Sequence, residues 1–161
     1  MTKFELPTIT FKTPIRSFEI NGITVGGENS LPFTHDGDKL FHPKFAVEIL
    51  LNIPLNYPSV LKSYWGESLN NTIEWAEAAA KIDADFLAIE FNVDENDLDN
   101  EIAKSKDILK KITAKINKPL IISGCAKPKI DEILLPELAK SLDRQCIIGP
   151  LDDKNYKNLA Q

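Results

Sequence analysis

The chain has few of the residues that usually carry recognisable chemistry. Among its 161 residues are two cysteines, two histidines, one methionine and seven glycines. Two cysteines are too few for an iron–sulfur cluster, which normally takes four thiolates. Cys125 and Cys146 sit in or beside apolar runs, PLIISGC and QCIIG, and read as reduced, half-buried thiols. His35 and His42 are the only imidazoles, and no metal site is expected from them. Basic residues are not in excess: the net charge is −5, which disfavours nucleic acid as a partner. No apolar run reaches transmembrane length, and MTKFELPTIT is not a signal peptide. The expected compartment is the cytoplasm. Rossmann GxGxxG, Walker, GxSxG and HExxH patterns are absent, as is a Ser/His/Asp or Cys/His constellation. No catalytic residue is expected in this chain.

What is present is an ordinary core-forming composition, 43% hydrophobic and 27% charged, in a chain long enough for one domain. Residues 1–14 carry two prolines and no helical period, so they read as an extended arm, with one domain over 15–161. RSFEINGITVGG is a hairpin candidate, because Asn21-Gly22 suits a type I′ turn. Pro43 is expected to open a short helix, KFAVEILLN, with Phe45, Ile49, Ala46 and Leu50 facing inward. IPLNYP interrupts it, and Pro58 opens a second helical stretch, SVLKSYW. A longer helix starts near Asn70 or Asn71, with Ile73, Ala76 and Ala80 on one stripe and Trp75 and Ala79 beside it. DFLAIEFNV is nearly all apolar, as for a strand buried on both faces. In the next helix Leu98, Ile102, Leu109, Ile112 and Ile116 share a face. Its acidic start, DENDLDNE, lacks EF-hand spacing and reads as a solvated helix N-terminus. PLIISG and CIIGPL are further strands. Between them KIDEILLPELAKSL is helical, with Ile130, Ile133, Leu134, Leu138 and Leu142 on a stripe and Pro136 expected to kink or split it. DDKNYKNLAQ starts a last helix.

Alternating strands and helices imply parallel β/α units with right-handed crossovers. Four strands suit either a small doubly wound sheet or the front half of a TIM (β/α)8 barrel, whose full length is about 250 residues. The break at NYKNLAQ favours the half barrel, preceded by an N-terminal β-hairpin. Binding residues of such folds cluster at the C-terminal ends of the strands. Gly26, Gly27, Glu28 and Asn29 follow the hairpin strand, here taken as the first barrel strand. A bulge and turn explains them, and so does close backbone approach to a flat ligand with Glu28 and Asn29 as polar contacts. Glu90 and Asn92 lie two apart in AIEFN, point to one side, and need partners in a buried strand. Gly124 and Gly149 end the third and fourth strands. Trp65 and Trp75 read as core or interface residues rather than ligand platforms.

Several spaced stretches carry a resemblance. GGENSLPFTHDG, HPKFAVEILLNIPLNYPSVLKSYWGE, EWAEAAAKIDADFLAIEFN, KPLIISGCAKPKIDEILLPELA and CIIGPLDDKNYK occur in this order over about residues 15–160. The chain thereby resembles the N-terminal half of the small (delta) subunit of the corrinoid iron–sulfur protein. That subunit belongs to the carbon monoxide dehydrogenase/acetyl-CoA synthase, or decarbonylase/synthase, complex. Where the family typically reads FEG, this chain has HDG at 35–37. The resemblance implies a TIM-barrel subunit that does no bond chemistry. It would help to position a corrinoid (cobamide) shared with a partner, the large subunit that carries the iron–sulfur cluster and a corrinoid domain. The cobalt then carries a methyl group from a tetrahydropterin to acetyl-CoA synthase, with that synthase and the pterin methyltransferase as transient partners. The family's corrinoid is base-off, and the histidine-supplying DxHxxG pattern is indeed missing: THDG at 34–37 does not match it. The back half of the barrel is not in this sequence, so self-association of the half barrel is a further expectation. Two other readings stand beside this one. One is a pterin-binding methyltransferase or dihydropteroate-synthase-like barrel, with Glu28, Asn29, Glu90 and Asn92 holding the pterin. The other is a non-catalytic interaction module without a ligand.

Overall fold

A computed structural model describes residues 16–27, 43–153 and 156–159. The expected arm over 1–14 lies outside the described residues. The chain divides into two units, 1–43 and 44–161.

In the first unit, β1 (Ser17–Ile20) and β2 (Ile23–Gly26) pair antiparallel, with Ile20 opposite Ile23 and Ser17 opposite Gly26. Asn21 and Gly22 both have positive φ, 48° and 80°, as the type I′ turn requires. The hairpin read from Asn-Gly is therefore present. Gly26 also has positive φ, 78°, and a Cβ there would run into the Arg16 carbonyl.

The second unit holds a parallel sheet in the order β3-β4-β5-β6. Its strands are β3 (Ala46–Leu50), β4 (Phe86–Glu90), β5 (Leu120–Ser123) and β6 (Cys146–Gly149). The helices are α1 (Ser59–Trp65), α2 (Thr72–Ala80), α3 (Leu98–Lys115), α4 (Pro128–Lys140) and α5 (Tyr156–Leu159). Strand order follows chain order without reversal among these four. With right-handed crossovers that arrangement sends each connecting helix to the same face. In keeping with this, α3 packs against both α2 and α4.

The helical assignment of KFAVEILLN is overturned: this segment forms strand β3. Its apolar residues repeat every second position. Val47, Ile49 and Leu51 join the core, whereas Phe45, expected inward, is 65% exposed and Ala46 is exposed too. Val47 and Ile49 are stiff at χ1 and suit a pleated surface better than a helix. The start of the strand is tied down by Asp85, whose Oδ2 accepts from Phe45 N at 2.9 Å and whose Oδ1 lies 3.6 Å from Lys44 Nζ. The Phe45 amide, aided by Lys44, holds the Asp85 carboxyl below the usual carboxylate range.

A second correction follows from the first. The strand before Gly26-Gly27 belongs to the two-stranded hairpin, so among the described residues the parallel sheet begins with β3 and not with ITVGG.

The core lies between sheet and helices. Leu87, Ile89 and Phe91 of the β4 segment and Leu120 and Ile122 of β5 are all fully buried there. From α2 come Trp75, Ala76 and Ala79, from α3 Ile102, Leu109 and Ile112, and from α4 Ile130, Leu134, Leu135 and Leu138. Asn71 caps α2 as read, its side chain accepting from Ile73 N at 2.9 Å. Two details of the stripes differ. Ser105 completes the buried face of α3, and on α4 Asp131 is buried while Ile133 is 51% exposed. Pro128 opens α4, and Pro136 lies inside one continuous helix rather than starting a second. Trp75 is buried and stacks edge-on with Tyr57 and Trp65, at 5.8 and 6.0 Å between ring centres.

Candidate functional site at the strand C-termini

Register places the ends of the four parallel strands in one row. Leu50 pairs with Glu90, Glu90 with Ser123, and Ser123 with Gly149. Two residues earlier runs the row Glu48, Ala88, Ile121 and Ile147. Because successive side chains alternate faces, both rows lie on the face opposite the helix-packed core. This face therefore bears two carboxylates and a hydroxyl above an apolar base.

Glu90 is half-buried, and its carboxyl is pushed above the usual range, first by burial and then by the Glu48 charge on the neighbouring strand. No hydrogen bond to that carboxyl occurs among the described residues. Gly149, two strands further along the row, leaves space: a Cβ there would meet only Leu151 N, at 4.0 Å. The Gly149-Pro150 peptide is cis.

Asn92, one residue pair beyond Glu90, is already committed. Its Oδ1 accepts from Asn52 N at 2.8 Å, and its Nδ2 donates to Asn52 O at 2.6 Å. Asn52 Nδ2 donates in return to Asn92 O at 3.1 Å. Where the main-chain ladder of β3 and β4 ends, this pair continues it with side chains, fixing the two exits relative to each other.

Gly124 serves Asp131. A Cβ at Gly124 would overlap the Asp131 carboxylate, which is 1% exposed at the first turn of α4. Asp131 Oδ1 accepts from Cys125 N at 2.9 Å and from Cys125 Sγ at 3.3 Å. Ala126 follows with φ 57°, a left-handed conformation that closes the loop. Burial, then the Asp131 carboxylate as hydrogen-bond partner and as charge, raises the Cys125 thiol, so it stays protonated near neutrality. Cys146 is also raised by burial; both cysteines are free and half-buried, as read.

The sequence-derived candidates thus separate. Glu90 and Gly149 share the row, with Gly124 and Asn92 immediately beyond it. Gly26 and Gly27 belong to the other unit, at the end of β2, where Gly27 has φ 86°. Glu28, Asn29, His35 and His42 lie outside the described residues. Glu48, Asn52, Ser123 and Asp131 were missed. The alternation in FAVEIL was the available signal for Glu48 and Asn52, since a strand there puts both at its exit. Asp131 is the polar residue beside Ile130 in an otherwise apolar helix face.

A depression of about 740 Å³ opens at the other end of the sheet, between the C-termini of α2 and α3. Two of its three lysines are engaged: Lys115 pairs with Glu77, and Lys118 Nζ donates to the Ile82 and Ala84 carbonyls at 2.6 and 2.7 Å. Among the described residues no group of three or more His, Cys, Asp or Glu is placed to hold a metal ion, and no helix is long and apolar enough to cross a membrane. No family model matches the chain, and no curated protein matches it.

Proposed function

We propose that this chain is the front half of a (β/α)8 barrel that helps to position a corrinoid at the C-terminal ends of its strands, in the manner of the small subunit of the corrinoid iron–sulfur protein. The observation that carries the reading is the row Leu50–Glu90–Ser123–Gly149, at the end of a parallel sheet whose strand order matches chain order. A doubly wound sheet reverses its order at a switch point, whereas a barrel does not.

The residues of this row fit such a group. A corrinoid is broad, largely apolar and edged with carboxamides. Ile121 and Ile147 of the row before it supply apolar surface, Gly149 leaves room, and Glu90 and Ser123 offer acceptors to amide N–H groups. When bound, the cobalt of a corrinoid supplies the methyl-carrying chemistry; the chain's own part is to bind and orient. The rest of the enclosure would come from the large subunit, the expected partner, which also holds the iron–sulfur cluster. Acetyl-CoA synthase and a pterin methyltransferase would dock transiently, and the system belongs in the cytoplasm.

The test is reconstitution with the large subunit, read by complex formation and by the visible spectrum of a cobamide. A complex with corrinoid-dependent methyl transfer, weakened by Glu90→Ala, is expected. Absence of both complex and transfer would overturn the reading.

One observation favours a second reading, a pterin-binding methyltransferase or dihydropteroate-synthase-like barrel. Glu90 is a half-buried carboxyl without a donor among the described residues, and a pterin edge offers two adjacent N–H donors. Calorimetry of this chain alone with methyl-tetrahydrofolate separates the two, since tight binding without a partner subunit belongs only to the second.

A further inference from the structure

We draw no further inference here: the strongest candidate, the exposed apolar surface of Leu55, Val60, Leu61 and Tyr64 on and just before α1, carries nothing because nothing in the structure shows what covers it.

Discussion

Replacing Asp131 by alanine removes one carboxylate that two groups of the β5–α4 loop depend on. Asp131 Oδ1 holds Cys125 N at 2.9 Å and Cys125 Sγ at 3.3 Å, and the residue is 1% exposed. A hydrogen bond to a charged group contributes about 1.5–3 kcal/mol, and a buried amide left without a partner costs about 1–3 kcal/mol. These figures overlap, so the expected loss is about 2–4 kcal/mol. With a urea m-value of roughly 2 kcal/mol/M, the midpoint falls by about 1–2 M. Gly124→Ala probes the same place from the other side, because its new Cβ enters the space of the carboxylate and overpacking of this kind costs about 1–3 kcal/mol. In the double variant the carboxylate is gone and the Cβ has room. The two losses should therefore fall short of additive by about 1 kcal/mol or more. Urea unfolding of the wild type, both single variants and the double variant measures this coupling. Additive losses, or an Asp131→Ala midpoint within error of wild type, would refute the packing argument. Cys125→Ser is the control: its hydroxyl still donates to Asp131, and a loss under about 1 kcal/mol is expected.

Burial and Glu48 raise the Glu90 carboxyl, so the folded chain holds that proton more tightly than the unfolded chain does. Its contribution to stability is full below the ordinary glutamate value and is lost as pH rises through the raised one. Glu90→Gln should flatten this decline as pH rises above the ordinary glutamate range; urea midpoints with the same pH slope as wild type would exclude it. Asn92→Ala removes two side-chain bonds to the Asn52 backbone and is expected to cost about 1–2 kcal/mol, with faster hydrogen exchange at the Asn52 amide. Unchanged exchange there would show that the asparagine pair does not hold the strand exits together. Among the described residues β3 and β6 each pair with one strand only, and open parallel edges invite pairing with another chain. The 161-residue chain produced by itself is expected to elute from gel filtration above its 18.0 kDa mass; a clean monomer with a cooperative melt would count against this.

Much of the α/β order was legible because it rests on local signals. Asn21-Gly22 accepts two positive φ values cheaply, Asn71 can satisfy a free helix N–H, and DFLAIEFNV is too uniformly apolar for a half-solvated element. KFAVEILLN failed because its apolar residues satisfy both periods. Phe45, Ala46, Ile49 and Leu50 make a helical stripe, while Val47, Ile49 and Leu51 make a strand face. What decides between them is tertiary: β4 stands alongside with Ile89 opposite Ile49, and Asp85 captures the Phe45 amide from forty positions away in the chain. No window around Phe45 contains that partner.

That single change of element alters what the candidate site can be. With ITVGG as first strand, the mouth would have been built from Gly26, Gly27, Glu28 and Asn29, whose glycines suggested close approach to a flat ligand. With β3 in that place, the first strand delivers Glu48, Leu50 and Asn52 instead. Asn52 is spent on Asn92, so the sequence pair Glu90 and Asn92 divides into one residue that holds the fold and one whose carboxyl has no hydrogen-bond partner among the described residues. Gly124 divides from Gly149 in the same way, since the first is filled by Asp131 and the second opens onto space. The proposed reading therefore rests on Glu90, with Glu48 as the neighbour whose charge raises its carboxyl. A ligand that presents an N–H donor offsets the cost that burial and the Glu48 charge place on an ionised Glu90; a ligand without one adds to the burial and offsets nothing. Under the proposed reading, cobamide binding in the complex with the large subunit should for that reason be weakened more by Glu90→Ala than by Asn92→Ala once each variant is compared at equal folded fraction. The reverse order would return the site to the asparagine pair.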